Sequence, residues 1–213
     1  MVAIIAILAA MLLPALGVAR EHARRAVCLS NLRQFTLGIV SYADDLNGRL
    51  PTGVRDDTME HTFYLHTSVY AGIKEALSGN DWVMDCPNGY PTRRPAQQPV
   101  GVLIGYFYLG GHSASVTTQA PNPWTSPALL SDPPSLPLVS DGTECNTLGA
   151  WTGAGGCHSA RGAVSVPGAA DPFSIGVQGG NVGLLDGSVN WVNARDMVKH
   201  ADASPAFPIW GYW

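Results

Sequence analysis

The first nineteen residues, MVAIIAILAAMLLPALGVA, contain no charged side chain. As a helix they reach ~28 Å at ~1.5 Å per residue, about the hydrocarbon thickness of a bilayer. The stretch is apolar on every helical face, unlike the one-sided helix of a soluble core. The pattern therefore predicts a helix inserted in a membrane or sheathed by other helices. Pro14 removes one backbone hydrogen bond and crowds the carbonyl of Ala10, a defect that packed neighbours re-satisfy. It predicts a kink or a stretch able to unwind. From Arg20 the pattern turns amphipathic. Arg20, Glu21, Arg24 and Arg25 form a charged turn, with Glu21 four residues ahead of Arg25, the favourable order for an ion pair. Val27, Leu29, Leu32, Phe35, Ile39 and Tyr42 follow at helical spacing, and Asn47-Gly48, with Pro51 beyond, supplies a stop. One helix of about 45 residues is expected within 1–47. Residues 1–19 form its hydrophobic half, for a membrane or a filament core, and residues 20–47 form its amphipathic half.

Residues 48–213 read as a loop-rich, β-containing head. Residues 61–78 suggest a short helix or a helix–strand mixture, and VLIGYFYL (102–109) and LPLVS (136–140) suggest strands. Within 181–192, Asp186-Gly187 between NVGLL and SVNWV signals a hairpin with a two-residue turn. That turn pairs Val182 with Trp191 and Leu184 with Val189, and places all four on one face, against the stripe of the long helix. The fold class expected is α+β, a long N-terminal helix packed on a small antiparallel head. The aromatic tail SPAFPIWGYW is expected to dock on its own head or on a neighbour's.

Composition narrows the function. Glycine (24) and proline (16) make up about a fifth of the 213 residues without a three-residue period, which excludes collagen. Charged residues are only 13% and the net charge is -4, so nucleic-acid binding is not expected. Five arginines against three acids leave residues 1–50 positive, and the remainder is negative. Residues 95–131 carry no Asp, Glu, Lys or Arg, which fits a neutral surface loop, a subunit contact or a glycosylated segment.

The four cysteines, Cys28, Cys86, Cys145 and Cys157, point to two disulfides and an oxidising compartment. Three connectivities are open, and the favoured one joins Cys28 to Cys86 and Cys145 to Cys157. The second bond would close a short loop, contributing about 3 kcal/mol. A zinc reading would draw on Cys145, Cys157 and His158, but no C-x2-C spacing accompanies them. Asp141, Asn181 and Asp186 are a candidate oxygen set for calcium, against ordinary turn chemistry; no other cofactor is expected. No catalytic residue is assigned. His22, His61, His66, His112, His158 and His200 have no catalytic spacing, no G-x-S-x-G, H-E-x-x-H or phosphate loop occurs, and Asp44 and Asp45 point apart on a helix.

AIIAILAAMLLPAL followed by AREHARRAVCLSNLRQFTLGIVSYADDLNGRLP resembles the N-terminal helix of type IV pilin-like proteins. More narrowly, it resembles the bacterial subfamily with a prepilin-type N-terminus and a C-terminal H-X9-DG signature. Asp186-Gly187 matches the end of that signature, whereas position 176, where the histidine would stand, is Gly176. The family's Phe-Thr-Leu-Ile-Glu start is not among these residues, and no processed first residue is assigned. The resemblance implies a structural, non-enzymatic subunit that sits in the inner membrane before assembly and then polymerises with copies of itself. The product would be a helical, extracellular type IV pilus-like filament on the cell surface, with the head setting adhesion. The filament-core side chains would be Ile4, Ile5, Ile7, Leu8, Met11, Leu12, Leu13, Pro14 and Leu16. Arg20, Arg24 and Arg25 favour a cytoplasmic head; the cysteines and the resemblance favour the opposite side. Assembly machinery of a pilus or of a type II secretion system is the implied partner, a minor secretion pseudopilin being the first alternative. A second is a membrane-anchored glycan-binding head using Trp124, Trp151, Trp191, Trp210 and Trp213.

Overall fold

The computed structural model describes residues 2–88, 94–97, 100–118, 122–146, 153–201 and 209–213, without the side chains of 2–4, 6–9, 94–97, 115–116 and 209. Helix α1 runs from Val2 to Asp45 with Pro14 inside it, about 66 Å long. It ends where the sequence predicts. Asn47 (φ 57°) and Gly48 (φ 77°) turn left-handed, and the Gly48 N–H donates to the Ala43 carbonyl at 2.9 Å. Glycine takes that φ without a Cβ clash.

The head follows with β1 (Tyr64–Leu65), α2 (Thr67–Ala76), a 3-10 turn (Asp81–Met84), β2 (Arg94–Gln97), β3 (Gly101–Leu103), β4 (Tyr106–Tyr108) and a short α3 (Ala114–Thr117). Next come β5 (Pro137–Asp141), β6 (Thr143–Asn146), β7 (Gly153–Ser159), β8 (Gly162–Pro167), β9 (Gly179–Leu184), β10 (Val189–Asn193), β11 (Lys199–Ala201) and β12 (Ile209–Tyr212). They form three antiparallel sheets in the orders β1-β3-β2, β10-β9-β5-β4 and β11-β12-β6-β7-β8. The fold is α+β, as the sequence pattern predicts. Gly142 alone separates β5 from β6, so the chain passes there from the four-stranded sheet into the five-stranded one.

Two halves of α1 have opposite surroundings. Every described side chain before Glu21 is exposed, with Met11 at 72%, Leu12 at 66% and Leu13 at 68%. Beyond that point Cys28, Leu32, Phe35, Ile39 and Ala43 are fully buried. They recur every three or four residues and so line one face. That face packs on α2, the 3-10 turn, β5, β9 and β10. Val27 and Leu29 fall outside it and are exposed, so the buried stripe is narrower than the apolar pattern suggests. Among the described residues, no helix is long and apolar enough to cross a membrane. The side chains of Ile4, Ile7 and Leu8, three of the expected filament-core set, lie outside the described ones.

The 61–78 segment is a strand followed by a helix, and 136–140 is strand. The 102–109 run is two strands in different sheets, broken at Ile104-Gly105. A Cβ on Gly105 would lie 2.7 Å from Asp85 Cα and Cys86 N, so a glycine is what lets the 84–86 segment lie against the break.

The hairpin differs by one residue of register from the expected pairing. Val189 lies opposite Gly183, Asn190 opposite Val182 and Trp191 opposite Asn181. A two-residue I′ turn needs positive φ at both central positions, and only Gly187 (φ 84°) adopts it. The loop is therefore three residues, 185–187, with the Leu184 N–H donating to Ser188 O at 2.8 Å. A one-residue slip exchanges faces. Leu185 and Val189 pack with the helix stripe, while Val182 and Leu184 turn into a second core with Phe63, Phe107, Leu109, Trp124 and Trp213. The described end of the tail, 209–213, docks on its own head, since β12 inserts between β11 and β6 and Trp213 stacks on His200 with centroids 4.6 Å apart; residues 204–208 lie outside the described residues.

Candidate functional site

Five reactive side chains, Cys28, Cys86, Asp141, Cys157 and His158, are buried together where α1 crosses the junction of the two larger sheets. Cys28 heads the buried stripe of α1, one turn before Leu32. Cys86 follows the 3-10 turn and is brought inward by the close approach at Gly105. Asp141 is the last residue of β5. Cys157 and His158 are neighbours in β7 and would ordinarily point to opposite faces. The β7–β8 register shifts by one residue between Gly156 and Ser159, a bulge that lets both reach the cluster.

The contacts are close. Cys28 Sγ lies 4.0 Å from Cys86 Sγ, 2.7 Å from Asp141 Oδ1 and 3.2 Å from the Tyr106 hydroxyl. Asp141 Oδ2 accepts from the Asn181 backbone N–H at 2.6 Å and from its side-chain amide at 2.8 Å. His158 Nε2 lies 3.3 Å from Asp141 Oδ2 yet makes no hydrogen bond. Its other nitrogen, Nδ1, is 2.8 Å from Glu21 Oε1. Glu21 is itself only 3% exposed and is held by Arg25 Nε at 3.1 Å and by the Asn88 amide at 3.1 Å. The Arg25 guanidinium also lies 4.6 Å from the Trp191 ring centroid and donates to Ser159 O at 3.2 Å.

Burial, the neighbouring Cys86 sulfur and the Asp141 carboxylate push the Cys28 thiol well above its ordinary range, and burial and Cys86 do the same to Cys157. Cys86 moves the other way, because Cys157, Cys28 and His158 together favour its thiolate despite burial. Burial opposes a charge on His158, but Asp141 and Cys86 outweigh it and hold its pKa at about 10. None of the five side chains is open to a substrate. Their donor atoms suit a metal ion, and two of the sulfurs are neighbours.

All four cysteines are free thiols, which corrects both expected disulfides. Cys28 and Cys86 do meet, unbonded. Cys145 and Cys157 cannot, because Cys145 lies opposite Ala154 and Cys157, three residues on, leaves the other face of β7. Cys145 instead contacts the Tyr212 hydroxyl at 3.4 Å, away from His158, so the zinc set with Cys145 is not assembled either. The calcium set is also divided. Asp141 and Asn181 touch, but Asn181 donates, and Asp186 lies beyond the end of β9 in the exposed hairpin turn, where its Oδ1 accepts from the Ser188 N–H at 2.8 Å. Trp124 and Trp213 meet edge to face in the second core, centroids 5.2 Å apart, rather than forming an open platform. Trp191 and Trp210 lie under Arg25 and Lys199, and Trp151 lies outside the described residues.

Glu21 is the participant that sequence reasoning placed only in an ion pair. Its ion pair with Arg25 is present, but its spacing from Cys28, two helical turns, also puts it on the buried face. A carboxylate in line with an apolar stripe was the available signal. A family model described as "Protein of unknown function (DUF1559)" matches residues 18–85, less than half of the chain. The matched segment includes Glu21 and Cys28 and stops one residue before Cys86. No curated protein and no solved structure matches the chain.

Proposed function

We propose that this protein is a structural subunit of an extracellular type IV pilus-like filament, polymerising by burying the first half of α1 among copies of itself. The observation that carries this reading is the uncovered apolar half-helix. Ile5, Met11, Leu12, Leu13, Leu16 and Val18 are all half or more exposed, and at 100° per residue they are spread around the helix. Fully burying six such side chains contributes roughly 9–18 kcal/mol, at about 1.5–3 kcal/mol each. A single neighbour covers only a fraction of the circumference, leaving a gain comparable to the ~4–15 kcal/mol association cost. Several neighbours cover all of it, which favours an open helical array over a dimer. The rear half of α1 stays packed on its own head, so each head is carried outward on a helical core. The resemblance in residues 1–51 points the same way.

The test is electron microscopy of material sheared from producing cells, with sedimentation of the full chain after detergent removal. Filaments containing the chain, and rapid sedimentation, are the expected results. A dispersed, detergent-free monomer would overturn the reading.

A further inference from the structure

Cys28, Cys86, Asp141 and His158 come from four separate stretches of chain, and one ligand atom from each lies within 4.8 Å of all the others. We infer that these four side chains bind one zinc ion that ties α1 to the head. Two thiolates, an imidazole and a carboxylate are zinc donors, and structural zinc sites are tetrahedral. Zinc bond lengths of ~2.3 Å to sulfur set the distance between two ligand sulfurs at about 3.8 Å. Cys28 and Cys86 are separated by 4.0 Å, close to that spacing, whereas Cys28 Sγ and Asp141 Oδ1, at 2.7 Å, must move apart to admit the ion.

The histidine is arranged for the same purpose. The Glu21 carboxylate at 2.8 Å accepts the Nδ1 proton, so Nε2 is the nitrogen whose lone pair a metal takes when its proton leaves. That Nε2 is buried, makes no hydrogen bond and points into the cluster. A carboxylate–histidine–metal relay fixes ring orientation and tautomer in this way, and its outer carboxylate strengthens the imidazole as a donor. Arg25 and Asn88 hold Glu21 in turn. On binding, the Cys28 thiol proton and the Nε2 proton of the His158 imidazolium leave to solvent, while Cys86 enters as its thiolate, so that two sulfur–zinc bonds and one nitrogen–zinc bond replace one S–H and one N–H bond. Cys157 stays behind Cys86 as a hydrogen-bonding neighbour. The ion would cross-link residues 28, 86, 141 and 158, closing loops that the fold otherwise holds by packing and hydrogen bonds such as Glu21–His158 and Arg25–Ser159.

The experiment uses the full chain, reduced and stripped by a chelator, and titrated with Zn2+ and then with Co2+ as a spectroscopic substitute. Binding of about one ion per chain is expected, with sulfur-to-cobalt charge-transfer absorption, intense tetrahedral visible bands and a higher Tm. Cys28→Ser, Cys86→Ser and His158→Ala should each weaken binding by more than about 100-fold, and Glu21→Gln by about 10–100-fold. Cys145→Ser, in a different region of the core, should leave both stoichiometry and spectrum unchanged. The cobalt titration of the unaltered chain stands even where a variant fails to fold. The inference is overturned if the folded, reduced chain takes up no ion. It is equally overturned if Cys145→Ser removes the spectrum as Cys28→Ser does, or if anaerobically purified chain carries a Cys28–Cys86 disulfide.

Discussion

The carboxylate of Glu21 meets the imidazole of His158 at 2.8 Å across a separation of 137 residues. The contact marks where α1 changes character. Before it, the described side chains face solvent; after it, Cys28, Leu32, Phe35, Ile39 and Ala43 are sealed. A polar link therefore fixes the point at which the helix leaves the head, and the apolar stripe below it supplies most of the adhesion.

If the projecting half-helix is an assembly surface, a charge there should act on association and not on folding. Leu12→Asp replaces a side chain that is 66% exposed in the single chain, so the head should keep its circular dichroism. Filament formation should be lost, because burying an unpaired carboxylate costs several kcal/mol. Normal filaments by electron microscopy from this variant would rule out core packing through Leu12.

Phe35 is fully buried at the centre of the stripe and stacks with Tyr106, centroids 6.3 Å apart. Phe35→Ala leaves a cavity that neighbouring strands cannot fill, so it should cost about 3–5 kcal/mol. Urea denaturation followed by tryptophan fluorescence measures this. A loss below about 1 kcal/mol would mean that the stripe does not hold the helix to the head.

Gly105→Ala places a methyl group 2.7 Å from Asp85 Cα and Cys86 N, and backbone atoms do not yield as side chains do. A loss of about 1–3 kcal/mol is expected, with faster alkylation of Cys86 as its loop is pushed outward. Gly17→Ala, inside α1 with nothing within 4 Å, should leave Cys86 alkylation unchanged and should not destabilise, since alanine favours a helix interior over glycine by about 1 kcal/mol.

Acid should weaken the head through Glu60. Burial opposes its charge, but contacts with His112 at 3.2 Å and the Ser113 N–H at 2.9 Å prevail, holding its pKa at about 2 instead of 4.5. A depressed carboxylate stabilises the fold fully above its unfolded value and loses that contribution as pH falls through its folded value. The wild-type Tm should therefore fall between pH 4.5 and about 2 more steeply than that of Glu60→Gln. Parallel curves would show that this carboxylate does not contribute.

Much of the architecture is legible along the chain because it depends on local periodicity. The uncharged run, the amphipathic continuation and the Asn47-Gly48 stop each follow from side-chain spacing and backbone preference, and α1 ends within a few residues of the predicted point. The hairpin at Asp186-Gly187 is legible as a turn, but its register is not. One residue's φ decides between a two- and a three-residue loop, and that choice moves Val182 from the helix side to the second core.

The cluster was less legible. Pairing cysteines by number and proximity in sequence suggests Cys145 with Cys157, whereas strand alternation sends these two to opposite faces. A single bulge then gathers Cys157 and His158 around Cys28 and Cys86. Sequence alone determined that this chain has a long helix with an apolar front half and a loop-rich antiparallel head, since helical spacing and turn chemistry act between near neighbours. Only the tertiary structure decided which side chains share the space beneath that helix. Contacts between residues more than a hundred positions apart depend on sheet order, register and one displaced backbone residue, none of which leaves a periodic trace.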